Sequence, residues 1–507
     1  MMDTLKNAYS SIPFAWLCLA VSSVTLVYYL VSELRPPCPV EDDFPTKRRD
    51  LFLGSFDFFR DSFKFLLSCR EWAQGAHMGF YILSHRVVMV RGLPGRDVFF
   101  SKGLDFMAGY RLLNPQLVDV MPVTEIKGDE SWASFMATFI RSEVLDKLTP
   151  TMVQDMANIV DAWGDKGTVD PFDGVYEIIF ALSMRLATCN EFCSDREKVR
   201  TMMRIFQRLE DGSTPASIIL SWVPTPSRMR RLWAGGELYK MISDVVSARK
   251  RENRREDDPL QALIDKGFNL VEITRFIAMT LFAAVTNTGN VFCWFLIYLE
   301  LHKKWKSSIL SEIDAFVETH SSVSRSTSPF STSTIAEALS RAGPDALEAA
   351  TPTLDATLHE TIRIVFNGFF MRRNIGSALS LDGRRIPHGA FLMFPTADLH
   401  FDPALFPDPH AFEPARFTPA AMEARRAEHG IAFLGWGAAR HQCVGKRAAL
   451  VMMKMITVML LARFDMGVVD GRGRTLVEVP KPRQDTLFKV SPTLTRTLLT
   501  YEVRRDA

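Results

Sequence analysis

Cysteine is sparse and irregularly placed: 507 residues hold seven, an odd number at scattered positions, which argues against a disulfide framework and places the folded body in a reducing compartment. An excess of one charge is also missing. Lys and Arg total 60 against 58 Asp and Glu, the formal net charge is +2, and no basic stripe with interleaved aromatics occurs, which argues against nucleic acid as the main partner. No long Pro/Gly/Ser linker divides the chain after its first fifty residues. Length alone would allow about three domains at ~150 residues each, but without linkers one large globular body is expected.

What is present is apolar. Hydrophobic residues make up 47% and charged residues 23%, with 37 phenylalanines, enough for a large core and an apolar ligand within it. From Ile12 to Ser32 there is no charged residue. About 21 helical residues at ~1.5 Å each span the ~30 Å hydrocarbon layer of a bilayer, so this run reads as a membrane anchor. A cleaved signal peptide is the rival, but its apolar core is ordinarily shorter, and Pro36, Pro37 and Pro39 follow as a stiff spacer. Arg35, Lys47, Arg48 and Arg49 outnumber Lys6 on the other flank, which puts the long carboxy-terminal part in the cytosol. The expected division is an anchor and proline-rich hinge over 1–44 and a catalytic body over 45–507.

Phe80, Ile82, Val87 and Val88 predict a hairpin between Gly79 and Val90 with its turn at Ser84-His85, closed by Gly92-Leu93-Pro94-Gly95. Residues 100–126 lack a clean period and hold Gly103, Gly109, Pro115 and Pro122, as suits an irregular, ligand-facing segment. Residues 150–265 read as amphipathic helices. The basic clusters Arg228–Arg231 and Arg249–Arg255 are either solvated helix faces or contacts to anionic lipid. Ser321–Thr334, rich in Ser and Thr, reads as a surface loop. A long helix is predicted over Val271–Lys303, with polar groups inside its apolar middle, Ala283-Ala284-Val285-Thr286-Asn287-Thr288-Gly289-Asn290. Two accounts compete: satisfied core hydrogen bonds with a kink at Gly289, or a polar groove facing a ligand.

Near the carboxy terminus, Phe433-Leu434-Gly435-Trp436-Gly437-Ala438-Ala439-Arg440-His441-Gln442-Cys443-Val444-Gly445 opens onto an apolar helix. Three glycines within eleven residues let the backbone bend and approach a flat object. Cys443 stands at the helix start, where unpaired N–H groups, the helix dipole and nearby Arg440, Lys446 and Arg447 favour a thiolate. No second Cys or His lies at a zinc spacing, and a single thiolate points to haem, whose ring supplies four ligands. Taken alone, a lone cysteine before an apolar helix is usually structural.

Trp436, Gly437, His441, Cys443 and Gly445 fall in the register of the haem-binding signature of the cytochrome P450 family, which this stretch resembles. Ala439 departs from the usual glycine and Trp436 from the commoner phenylalanine. The resemblance implies a mainly α fold with a small β region behind one N-terminal transmembrane helix. It also implies haem b held by Cys443, with propionate contacts from His441 and Arg373. Thr288 matches the alcohol of the family's acid–alcohol pair; Asn287 takes the acid's place and Val285 that of a glycine, so protons would travel through Thr288 and ordered water. Where many relatives carry an arginine four residues after Trp132, this chain has Met136. Glu360, Arg363 and Arg416 resemble the family's Glu-Arg-Arg triad, a scaffold beneath the haem.

Asn287, Trp294 and Trp436 are similar to the branch of bile-acid sterol hydroxylases and prostacyclin synthase, which leaves a second reaction type open. The leading expectation is a monooxygenase of a lipophilic small molecule on the endoplasmic reticulum. NADPH would act through a separate cytochrome P450 reductase, since no flavin or nicotinamide glycine fingerprint precedes a helix. Lys446 and Arg447 would face that reductase, and Arg440-His441 is similar to fungal biosynthetic members. The alternatives are an isomerase or dehydratase needing no external electrons, motivated by Asn287, and a non-catalytic haem- or sterol-binding protein.

Overall fold

The computed structural model describes residues 44–47, 54–113, 132–211, 215–219, 225–324, 329–482 and 492–505, with isolated positions at 20, 22–24, 27 and 490. The expected anchor over Ile12–Ser32, the prolines after it and residues 114–126 of the irregular segment lie wholly or mostly outside them.

Helices dominate. The amino-terminal part gives α1 (Ser62–Trp72), α2 (Gly92–Phe99), α3 (Trp132–Thr138) and α4 (Ser142–Asp161). The predicted amphipathic region forms α5 (Tyr176–Ala187), α6 (Arg196–Glu210) and α7 (Pro226–Glu252). Next comes the long central helix α8 (Leu270–Leu301), then α9 (Lys303–His320), α10 (Thr332–Ala350) and α11 (Pro352–Val365), and finally α12 (Lys446–Arg463) after the cysteine loop.

Local chemistry starts α8: the Asn269 side chain accepts from the Val271 and Glu272 amides, both at 3.0 Å, and Glu272 Oε2 accepts from the Asn269 amide at 2.8 Å. Such a reciprocal cap satisfies donors the first turn would otherwise leave orphaned. Phe292, Cys293, Phe295, Ile297 and Leu299 are fully buried beyond the polar middle, and α12 is buried along Ala448–Ala462. Each fully buried Leu, Ile or Phe contributes about 1.5–3 kcal/mol, so packing among these helices outweighs their propensities. Among the described residues, α8 is the one helix long and apolar enough to cross a bilayer, but 67% of its apolar window is buried inside the protein.

Two sheets flank the helices. In the first, β1 (Met78–Ile82), β2 (His85–Met89), β3 (Leu104–Asp105), β5 (Phe369–Asn374) and β8 (Phe391–Pro395) lie in the order β1-β2-β8-β5-β3. In the second, β4 (Lys166–Val169) pairs with β10 (Thr497–Val503), which pairs with β9 (Phe464–Asp470); β6 (Leu379–Leu381) and β7 (Arg384–Ile386) make a separate hairpin.

Several expectations shift. The first hairpin turns at Leu83-Ser84, one residue early, because Leu83 adopts a left-handed φ of 55° and Ile82 pairs with His85. Gly92–Gly95 starts α2 rather than closing the hairpin. The Ser/Thr-rich loop ends at Ser331, whose hydroxyl accepts from the Thr334 amide and caps α10; residues 325–328 of it lie outside the described set. The basic cluster at Arg249–Arg255 is no lipid-facing stripe. Arg249 is 2% exposed and binds Glu191 Oε2 at 2.6 Å and Asp258, Arg254 pairs with Glu191 and Glu256, and Arg255 pairs with Asp265.

Candidate active site

The cysteine loop is folded by its backbone. Gly437 has φ 70°, and a Cβ there would lie 2.3 Å from the His441 carbonyl oxygen; the Cys443 amide closes the loop onto the Trp436 carbonyl at 2.7 Å. His400, fully buried and held neutral by that burial, accepts from the Leu434 amide through Nε2 at 3.0 Å and fixes the loop's entry. Ala439 sits at φ 49°, in the left-handed region. This explains the family's preference for glycine there, since a side chain in that region costs about 1–2 kcal/mol. Ala439→Gly is therefore expected to stabilise the protein by about 1 kcal/mol, read as a raised thermal midpoint.

The Cys443 side chain reaches the solvent-exposed surface of the loop. Burial raises its pKa, while the Gly445 amide and Lys446 pull the other way. The loop alone thus leaves a thiol, contrary to the expectation from the helix dipole; a metal cation would complete the deprotonation. Of the three cations invoked for that expectation, Arg447 is engaged elsewhere: it binds Glu348 Oε2 at 2.8 Å, Asp345 and Ser142, tying α12 to α10 and α4.

Glu360, Arg363 and Arg416 come together. Arg363 binds both Glu360 oxygens at 2.7 Å and donates to the His400 and Pro409 carbonyls at 2.7 and 2.8 Å, with both side chains at 0% exposure. Arg416 Nε lies 3.4 Å from Glu360 Oε1, and Nη2 donates to the Asp408 carbonyl at 2.8 Å. The Glu413 amide donates to Glu360 at 2.9 Å. One buried carboxylate thus fixes the loop over residues 400–416 against α11.

His441 and Arg373 do not come together. β5 alternates sides along its length, and Arg373 points outward, its Nε donating to the Gly389 carbonyl at 3.2 Å and its guanidinium over the Phe391 ring. Arg372 faces inward instead. It is 3% exposed, packs 5.3 and 4.8 Å from the Phe99 and Phe106 rings, and lies close enough to His441 to lower its pKa, after burial itself. Burial also lowers the Arg372 pKa to about 10, partly offset by Tyr110 and Asp105, and its Nε has no hydrogen-bond partner among the described residues. Gly109 packs against this strand so closely that a Cβ would come within 2.5 Å of Arg372 Cα. A run of two arginines on a strand carries no sequence mark of which one is inside.

On α8, Thr288 is buried and Asn287 exposed. The helix runs unbroken through Gly289, whose missing Cβ leaves room for the Tyr176 ring; a Cβ would sit 2.5 Å from it. Glycine here serves close packing rather than a kink. Asn290 Nδ2 donates to the Thr286 carbonyl at 2.6 Å, and Thr286 Oγ1 donates to Glu210. Met136 is buried against α8, where the Thr280 hydroxyl donates to its sulfur at 3.1 Å, and the Trp132 indole N–H is buried without a partner among the described residues.

One thiol on a glycine-bent loop and an under-partnered buried arginine beside a histidine suit a flat ligand with a soft central cation and an anionic edge. Haem fits that donor set. The cytochrome P450 family profile matches residues 75–481. The chain belongs to the cytochrome P450 family. It is similar to the cytochrome P450 monooxygenase AacuE of Aspergillus aculeatus, 26% identical over 437 residues covering 83% of this chain and 85% of the relative. It also resembles the monooxygenases dmxR5 of a Cryptosporiopsis species and nsrP of Aspergillus novofumigatus, each 27% identical; each alignment covers 83% of this chain, with 82% and 83% of the relatives. This P450 is an oxidoreductase of the monooxygenase type, and its family implies a haem–thiolate iron, a redox partner and a lipophilic substrate.

Proposed function

We propose that this P450 oxidises a lipophilic small molecule of specialised metabolism, with dioxygen and electrons from NADPH delivered by a cytochrome P450 reductase. The observation that carries the reading is the closed loop that presents Cys443 on a glycine-bent backbone, joined to Trp436 at 2.7 Å. Cys443 would hold the haem iron through its thiolate. His441 and Arg372 hold the anionic edge of the haem, Trp132 adds an indole N–H, and Trp436, Gly437 and Gly445 shape the loop that faces the ring. When bound, the haem supplies the iron at which dioxygen is activated. Thr288 would hold and pass a proton through its hydroxyl, and Asn287 would order water on the exposed side of α8. Glu360, Arg363 and Arg416 are structural.

The fungal origin of the similar monooxygenases and the Arg440-His441 pair support a biosynthetic substrate. The charge-free run at Ile12–Ser32 supports anchoring to the endoplasmic reticulum, with residues 1–44 as anchor and hinge and 45–507 as the cytosolic catalytic body.

Purified protein is reconstituted with reductase and NADPH and screened against sterols, terpenoids, fatty acids and aromatic polyketides, first for substrate-induced spectral shifts and then for products. Oxidation that requires both NADPH and dioxygen is expected; turnover that ignores both would move the chain to the isomerase reading. Arg372→Gln should weaken haem retention about tenfold through loss of a charged hydrogen bond, while Arg373→Gln leaves it unchanged. Equal behaviour of the two variants would remove Arg372 from the haem edge.

A further inference from the structure

The position where relatives place an acid holds Asn287, whose amide has no proton to release. A carboxyl arrives from another helix. Glu210, the last residue of α6, accepts a hydrogen bond from Thr286 Oγ1, one position before Asn287. The arrangement is built in from several sides. Tyr176, on α5, packs its ring against Gly289, and its buried hydroxyl has no hydrogen-bond partner among the described residues. Burial raises the Tyr176 pKa, and the nearby Glu210 and Cys293 raise it further, which places all three groups around one face of α8. The Asn290 amide holds the Thr286 carbonyl and stiffens the same turn.

Helical residues step by about 100°, so Thr286 and Thr288 face directions about 160° apart on one side, which carries the buried Val285 and Gly289, and about 200° apart on the other, which carries Asn287. Asn287 is exposed, as is Ala283 one turn earlier, so this side of α8 is open to water. Glu210 itself is half-buried. A route from Glu210 to Thr288 therefore passes across the face that Asn287 presents.

We propose that Glu210 stands in for the missing acid and feeds protons to Thr288 through water held by the Asn287 amide. The proposal rests on the monooxygenase reading. In each cycle a proton leaves the Glu210 carboxyl for that water, the water gives one of its own to the Thr288 hydroxyl, and Thr288 passes its own proton into the pocket. Glu210 then recovers a proton from solvent. No electron passes through these residues, and no further reactant is consumed by them. Glu210 acts through other groups and is a positioning residue, not a catalytic one.

The test uses the haem-loaded full chain with reductase, NADPH and dioxygen, and carbon monoxide as an independent probe. In Glu210→Gln, the share of NADPH electrons recovered as hydrogen peroxide rises several-fold, because protons reach the pocket too slowly for oxygen to be fully reduced. Glu210→Asp restores most of the coupling, and Thr286→Val resembles Glu210→Gln. The second readout needs no turnover: the C–O stretching band of the reduced, carbon-monoxide-bound protein shifts in Glu210→Gln and in Thr286→Val, since both disturb the polar network of α8. Unchanged peroxide yield together with an unmoved band overturns the proposal. So does a variant whose only defect is weaker substrate-induced spectral shifts, which would make Glu210 a substrate contact. If wild-type protein shows no NADPH-dependent oxygen consumption, the monooxygenase reading fails on its own, and the infrared band still decides whether Glu210 reaches the haem pocket.

Discussion

Cys443→Ser abolishes the red-shifted Soret band of the reduced, carbon-monoxide-bound protein, and with it all monooxygenase turnover. The sulfur is the only thiol on the glycine-bent loop, and its neighbours prepare it for a cation rather than for packing. Burial raises its pKa, while the Gly445 amide and Lys446 favour the thiolate that a metal cation would hold. A serine oxygen fits the same space but lacks the polarizable charge that pushes electron density toward iron. The side chain is exposed and forms no part of the buried core, so Cys443→Ser should remain folded, with far-ultraviolet dichroism unchanged. Cys293, fully buried on α8 with its thiol donating to the Pro171 carbonyl at 2.9 Å, is the control: Cys293→Ala keeps the red-shifted band. A folded, haem-loaded Cys443→Ser protein that retains the band would assign the iron another ligand and undo the active-site reading.

Arg363→Ala is expected to cost about 3–5 kcal/mol, enough to prevent accumulation of folded protein at 37 °C. The size follows from what stays behind: Glu360, without solvent contact, would lose its bidentate partner, and the His400 and Pro409 carbonyls would lose a donor. Arg363→Lys should fail nearly as badly, because one ammonium cannot bind two carboxylate oxygens and reach carbonyls on the opposite side. Arg416→Ala is the milder lesion. Its contact with Glu360 is longer, at 3.4 Å, and its carbonyl partners lie at the surface, so a loss of about 1 kcal/mol is expected. Thermal midpoints of the three variants, measured side by side, check the order; equal losses would show that the carboxylate is not the hub.

The sequence displayed those parts of the site whose chemistry is local. Cys443 and its glycines are contiguous, Glu360 and Arg363 are one helical turn apart, and the polar middle of α8 interrupts an otherwise apolar run. The helical body was legible for the same reason, because a period of 3.6 extends over many residues. What escaped depends on contacts between distant segments or on a choice between equal neighbours. Glu210 meets Thr286 across 76 positions, and no pattern in α6 marks its last residue. Arg372 and Arg373 differ only in strand side, which the pairing of β5 with β3 and β8 decides. The Arg249–Arg255 cluster read as a charged surface because its acids, Glu191 and Asp258, lie on either side of it in sequence and meet it only in the fold. His400 carried no signal of its own, although it anchors the start of the cysteine loop.

Arg447, four residues after Cys443, has its charge already answered by Glu348 and Asp345. An electron-donating partner that approaches here therefore meets fewer uncompensated positive charges than the run Lys446-Arg447 implies. Long-range attraction should contribute less to their encounter and shape fit more, so raising the ionic strength should slow electron delivery only mildly.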